Sequence, residues 1–195
     1  MKCIINIALA GFAAAALAVS VSGMSPAFAQ MKERGNIVTV GGAPMYPSKN
    51  IIQNAVNSKD HTTLVAAVKA AGLVDTLSGP GPFTVFAPTN EAFSALPPGT
   101  VENLLKPESK ETLTKVLGYH VISGKLEFSD LVKAIKKAGG KMRLKTLEGE
   151  TLIAMMNGEH NIVLKDAKGD IANISTYDVV QSNGVIHVID KVLLP

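Results

Sequence analysis

The hydrophobic period of this chain changes partway along, and that change restricts the fold more than any other feature. Up to about residue 139, apolar residues recur at three- and four-residue steps, broken by glycine and proline. Ile51, Ile52, Ala55 and Val56 form one helical set. Leu64, Val65, Val68 and Ala71 form a second, which Asp60 or Thr62 can cap and Gly72 can end. Leu113, Val116 and Leu117 mark a helix over 108–117. Leu131, Val132 and Ile135 mark another, started by Ser129 or Asp130 and ended by Gly139-Gly140. Two strands interrupt the helices, Phe83–Phe86 and Tyr119–Ile122. The last third consists of short strand-like runs at Met142–Leu144, Thr151–Ile153, Asn161–Leu164, Ile171–Ile174 and Tyr177–Val180. Asn183-Gly184 is the strongest hairpin signal, and the Val185–Ile189 run after it is apolar enough for burial on both faces. Helices first and hairpins after predict an α+β domain.

The N-terminus carries a different signal. Lys2 precedes an apolar run from Ile4 to Val21, followed by Ser25-Pro26 and Ala27-Phe28-Ala29. A positive start, an apolar stretch and a small-x-small site make a secretory signal peptide over residues 1–29. Cleavage after Ala29 removes the apolar run, so no stable membrane span is expected afterwards. It also removes Cys3, the one cysteine, and with it any disulfide or thiolate metal cluster within the chain. The exported domain must then hold together through its apolar core. Residues 30–47 contain Gly35, Gly41-Gly42, Pro44 and Pro47 with little periodicity. They read as a flexible N-terminal arm whose Ile37–Val40 run can add an edge strand. The domain proper is expected over 48–195. Hydrophobic residues at 47% and charged residues at 18% exclude a disordered chain. A net charge of +3 lacks the dense positive excess of a nucleic-acid binder.

Catalytic and metal signals are sparse. His61 at a helix start and His160 in a turn are expected in solvent, whereas His120 and His187 sit inside apolar strands and read as hydrogen-bonded core residues. His120 is expected to bond backbone near Phe83–Phe86 and lock the sheet. No HExxH, paired histidine or Gly-x-Ser-x-Gly is present, so no metal or catalytic residue is assigned. Prolines in Gly79-Pro80-Gly81-Pro82 remove N–H groups a phosphate would need. Glu148, Glu150, Asp166 and Asp170 lie near turns, where carboxylates are normally solvated. Lys133, Lys136, Lys137, Lys141, Arg143 and Lys145 form the densest basic stretch, readable as a solvated face or as a contact for anionic glycan or phospholipid.

Three segments resemble the fasciclin (FAS1) family. Phe83-Thr84-Val85-Phe86-Ala87-Pro88-Thr89-Asn90 with Ala92-Phe93 resembles its first signature. Leu117-Gly118-Tyr119-His120-Val121 resembles its Tyr-His motif, and Asn183-Gly184-Val185-Ile186-His187-Val188-Ile189-Asp190 its second signature. The layout is similar to small single-domain members secreted by bacteria. The resemblance implies a FAS1 fold, a β-wedge of two sheets with helices packed along one side. It marks Thr89, Asn90, His120, Asn183, Gly184 and His187 as structural motif residues. It implies a non-enzymatic binding module of the periplasm or extracellular space, used for cell adhesion or for envelope or matrix contact with a protein or glycan, and no cofactor. In animal members an Asp-Ile pair and the Tyr-His region are the proposed integrin contacts; the matching positions here are Asp178-Val179 and Tyr119-His120. Some algal members bind carotenoids, so carriage of a small apolar ligand is the alternative. Intact-mass measurement of the exported protein is expected to show Gln30 as its first residue; a retained leader would instead make the apolar run an uncleaved membrane anchor.

Overall fold

The structure, a computed structural model, describes residues 37–195. The leader read at 1–29 and residues 30–36 of the expected arm lie outside the described residues. The chain continues with a hairpin, β1 (Val38–Val40) and β2 (Ala43–Met45), turned by Gly41-Gly42 at positive φ. Over its described part, this corrects the flexible arm expected at 30–47. Val40, Ala43 and Met45 are buried. Asn54 fastens the hairpin. Its Oδ1 accepts the Tyr46 N–H at 3.1 Å, and its Nδ2 donates to the Tyr46 carbonyl at 2.7 Å and to the Gln181 side chain. Glycine and proline here make a tight turn on an edge strand rather than a tether.

Three helices follow, α1 (Ile51–Ala55), α2 (Thr62–Ala71) and α3 (Val74–Ser78), with a 3-10 turn at Lys59–His61. Gly72 ends α2 in the left-handed conformation, as expected. Strand β3 (Phe83–Pro88) leads to α4 (Asn90–Ser94), α5 (Thr100–Leu104) and α6 (Lys110–Tyr119). Then come β4 (Val121–Ser123) and α7 (Phe128–Lys137). The chain ends in β5 (Lys141–Lys145), β6 (Thr151–Asn157), β7 (Asn161–Lys165), β8 (Ile171–Gln181) and β9 (Gly184–Ile189).

Seven strands form one sheet in the order β4-β3-β9-β8-β7-β6-β5. Neighbours are antiparallel except β3 and β9, which run parallel. The long β8 pairs with β7 through Ile171–Asn173 and with β9 from Ile174 to Gln181, with register shifts on either side of Thr176. Bulges bend a strand, so β8 carries the sheet round a corner, and the two sheets of the expected wedge are its halves. The outer edges nearly close: Ile122 bridges Thr146, and the Leu147 N–H donates to the Val121 carbonyl at 2.7 Å. The result is an α+β fold of the expected form, a wrapped sheet with helices alongside.

Alternation along β3 and β9 divides the core in two. Val85, Ala87, Ile186 and Val188 pack with the hairpin and α1–α6. Phe86 and Ile189 face the wedge interior, where Leu131 and Ile135 of α7 are wholly buried. Two expectations about strands are corrected. The strand read at Tyr119–Ile122 begins at Val121, because Tyr119 ends α6 and His120 caps it in a helical conformation. Ile171–Ile174 and Tyr177–Val180 form one strand, because bulges rather than a turn separate them.

The Asn183-Gly184 hairpin is present, but its connecting residues are Ser182 and Asn183. Gly184 starts β9 and must be glycine for another reason: a Cβ there would collide with the Phe83 carbonyl. Asn183 ties three segments. Its Oδ1 accepts the Ile51 N–H at 3.1 Å, and its Nδ2 donates to the carbonyls of Leu77 and Gly79 at 2.8 and 3.0 Å. At about 1 kcal/mol per bond, Asn183→Ala is expected to lose roughly 2–3 kcal/mol in urea unfolding. Gly184→Ala is expected to cost at least as much through overpacking against backbone; an unchanged midpoint would contradict the close approach.

Candidate functional site

The first motif works as a clamp. Thr89 caps α4, its hydroxyl accepting the Ala92 N–H at 3.3 Å. Asn90 reaches across to α2. Its Oδ1 accepts the Thr63 N–H at 3.0 Å, and its Nδ2 donates to the Lys59 carbonyl at 2.8 Å.

The Tyr-His motif lies at the centre. Tyr119 is fully buried, its hydroxyl donating to the Thr151 carbonyl and accepting the Ala167 N–H, both at 3.1 Å. Burial raises its pKa. His120 Nε2 accepts the Leu193 N–H at 3.0 Å. Nδ1 therefore carries the proton and donates to the Val116 carbonyl at 2.7 Å. The ring joins α6 to the C-terminal segment rather than to Phe83–Phe86; only the His120 backbone carbonyl reaches that motif, accepting the Phe86 N–H at 2.9 Å. Burial lowers the His120 pKa to about 4.

His187 takes the other tautomer. Its Nδ1 accepts the Asp178 N–H at 3.3 Å, and its Nε2–H donates to the Leu126 carbonyl at 2.8 Å. Burial lowers its pKa also. Asp178 sits in the β8 irregularity at φ 54°. Its Oδ1 accepts the Phe128 N–H at 2.7 Å, so its carboxylate caps α7 from outside and meets the positive end of that helix. Tyr177 completes the corner. Its ring lies edge-on to Phe128 at 4.7 Å, and its hydroxyl accepts the Ile162 N–H at 2.8 Å.

Of the four residues assigned to contact by resemblance, Val179, Tyr119 and His120 are buried, and Asp178 is half-buried. The first three can shape a contact surface only from beneath. Sequence reasoning passed over Tyr177, Phe128 and Leu126 in this corner, and nothing local in their surroundings signals the role.

His61 is another correction. Expected in solvent, it is 4% exposed and lines an apolar cavity between α1–α3 and the β3–β9 face. Its Nδ1 lies 2.9 Å from the Ser58 hydroxyl, while its buried Nε2 has no hydrogen-bond partner among the described residues. The Ala87 carbonyl stands near enough to favour the charged ring slightly, but burial dominates and lowers the pKa. The cavity measures about 40 Å³ and is walled by side chains such as Met45, Leu64, Val68 and Ile186. Asp166, also expected in solvent, is 4% exposed because its carboxylate accepts the Asp170 and Leu194 N–H groups at 2.8 and 3.1 Å. His160 is exposed, as expected. Among the described residues, no three His, Cys, Asp or Glu side chains gather as a metal site.

A wedge closed over neutral histidines, with α7 wedged inside, defines a class of fold shared with known proteins. A FAS1 domain pair from the insect cell adhesion molecule Fasciclin I superposes with a TM-score of 0.68 at 20% identity, covering 82% of this chain and 58% of that one. The Fasciclin domain family profile matches residues 59–195. The chain is 44% identical over 171 residues to protein sll1483 of Synechocystis, covering 87% of this chain and 86% of that protein. It is 33% identical to immunogenic protein MPB70 of Mycobacterium bovis over 100% of its own length and 99% of the relative. It is 34% identical to transforming growth factor-beta-induced protein ig-h3 of Sus scrofa, covering 83% of this chain but 21% of that one. The chain belongs to the fasciclin domain family.

The histidines make stability depend on pH. His120 titrates near 6.5 when unfolded and near 4 when folded, so the unfolded state binds the proton first as pH falls. Its contribution is complete above about pH 6.5 and declines down to about pH 4. Urea unfolding is expected to show a loss of about 2 kcal/mol between pH 7 and pH 5 from His120, with His61 and His187 adding in the same direction. His120→Phe is expected to be less stable at pH 7 yet to change less across that interval; an unchanged slope would remove the assignment.

Proposed function

We propose that the protein is an exported, non-enzymatic binding module that makes adhesive or envelope contacts with a protein or glycan. The observation carrying this reading is that its interior polar groups, His61 Nε2 excepted, are committed to structure. His120, His187, Asp166 and Tyr119 each satisfy backbone groups, leaving none free as an acid, base or nucleophile. A hydroxyl–imidazole contact does exist, Ser58 to His61, but both residues are buried. Gly41 packs so closely on the Ser58 hydroxyl that even a Cβ at that position would collide with it, so an acyl group has no room. Recognition is left to the exterior, where Asp178 alone of the four contact residues keeps exposed surface. Similarity to a domain pair from a cell adhesion molecule points the same way.

The alternative, carriage of a small apolar ligand, draws on the cavity beside His61. At about 40 Å³ it is well below the roughly 150 Å³ that holds one benzene. A carotenoid would require the helices to part from the sheet, so adhesion is the better-supported reading.

A surface coated with the purified protein is expected to retain more of the producing cells than an albumin-coated one. Asp178→Asn keeps an oxygen for the Phe128 N–H and removes the charge. It is expected to melt within a few degrees of the parent and to retain fewer cells. Equal retention on albumin, or turnover in a broad hydrolase screen, would defeat the proposal.

A further inference from the structure

Charge is distributed unevenly over the molecule. Between Phe128 and Lys145, six cations stand against one carboxylate, Asp130; elsewhere among the described residues, fourteen carboxylates face ten lysines. On β5, Met142 and Leu144 turn inward, while Lys141, Arg143 and Lys145 alternate with them and are exposed. The register extends this pattern across the sheet. Arg143 lies opposite Ile153, Ile153 opposite Lys165, and Lys165 opposite Ile171. In the next row, Lys141 lies opposite Met155, Met155 opposite Val163, and Val163 opposite Asn173.

Directly opposed residues share a face, so cations and aliphatic side chains interleave over a patch about 14 Å on a side. Ile171 is 44% exposed, and Ile153 and Met155 are partly exposed. The helix α7 packs against the other face of β5 and β6, and its Lys133, Lys136 and Lys137 extend the basic edge. Among the described residues, none of these cations pairs with a carboxylate. At the far corner, Asp190 is already held by the Asn173 backbone and side-chain N–H groups, both at 2.7 Å.

The chemistry of this face narrows its partner. It carries no aromatic ring on which a sugar could stack. It offers ammonium and guanidinium groups suited to phosphates, set among aliphatic side chains suited to shallow apolar contact. We propose that the outer face of β5–β8 docks on an anionic phospholipid bilayer. Lys141, Arg143, Lys145 and Lys165 meet headgroup phosphates, and Ile153, Met155 and Ile171 press toward the acyl boundary. Each basic side chain near an anionic leaflet adds to such binding, and so does each buried apolar group. The acidic remainder of the molecule orients this face toward the membrane. The inference names a partner for the binding module proposed above and rests on that reading.

The test is sedimentation of the protein, purified from its producing cells, with two kinds of vesicle: phosphatidylcholine alone, and phosphatidylcholine with about one-third phosphatidylglycerol. Binding is expected only to the anionic vesicles and is expected to fall with added salt. The triple variant K141A/R143A/K145A is expected to bind at least tenfold more weakly with an unchanged melting temperature. K106A/K110A/K115A, which removes equal charge from the helical side, is expected to bind like the parent. Ile171→Ser is expected to weaken binding most visibly at high salt, where the apolar part remains. Equal binding to neutral vesicles, equal loss in both triples, or capture by soluble dextran sulfate but not by anionic vesicles would each overturn the proposal. Failure on vesicles with cell retention intact removes the bilayer and leaves the adhesion reading standing; loss of both removes both.

Discussion

The parallel pairing of β3 with β9 is the constraint on which the rest of the structure depends. Every residue of β9 is buried, with the helical layer on one side and the wedge interior on the other. A strand in that position can hold a polar group only if each of its donors and acceptors is met. His187 satisfies the rule with both ring nitrogens. Thr84 of β3 satisfies it too, donating to the Gly124 carbonyl at 2.6 Å and accepting the Leu126 N–H at 2.9 Å. The pair starts where Gly184 lies against Phe83, so the approach that aligns the strands is limited by a missing side chain.

The three buried histidines follow from this geometry but differ in function. His120 and His187 are neutral connectors with defined tautomers, each joining segments far apart in the chain. His61 is bonded on one side only. Burial lowers the proton affinity of all three, so acid acts on the fold through its centre. Asp178 belongs to the same system: its backbone meets His187, and its carboxylate holds the start of α7, fifty residues earlier. A change at this corner would therefore reach both the wedge interior and the exposed strand beside it.

Under the proposed reading, a domain whose interior is so largely committed to structure would recognise partners with its outside. The helical layer covers one face of β3–β9 and α7 fills the wedge, so the broad uncovered sheet surface is the outer side of β5–β8. That surface combines positive charge with aliphatic side chains, while the rest of the described chain is net acidic.

Much of the fold was legible in the residues. The change of period near residue 139 required helices followed by hairpins. Gly72 ended its helix as read, Asn183-Gly184 marked a hairpin, and the β9 run was buried on both faces. These features depend on neighbours within about one helical turn or one strand pleat, so a linear sequence carries them. Tertiary structure decided which polar residues were enclosed. His61 and Asp166 looked like solvated turn residues and are buried, and residues 38–45 looked like part of a loose arm and form a hairpin under Asn54. It also set Lys165 and Ile171 in one row with Arg143, although more than twenty residues separate them in sequence. Burial and register depend on which distant segment lies alongside, and that is settled only when the whole sheet closes on its core.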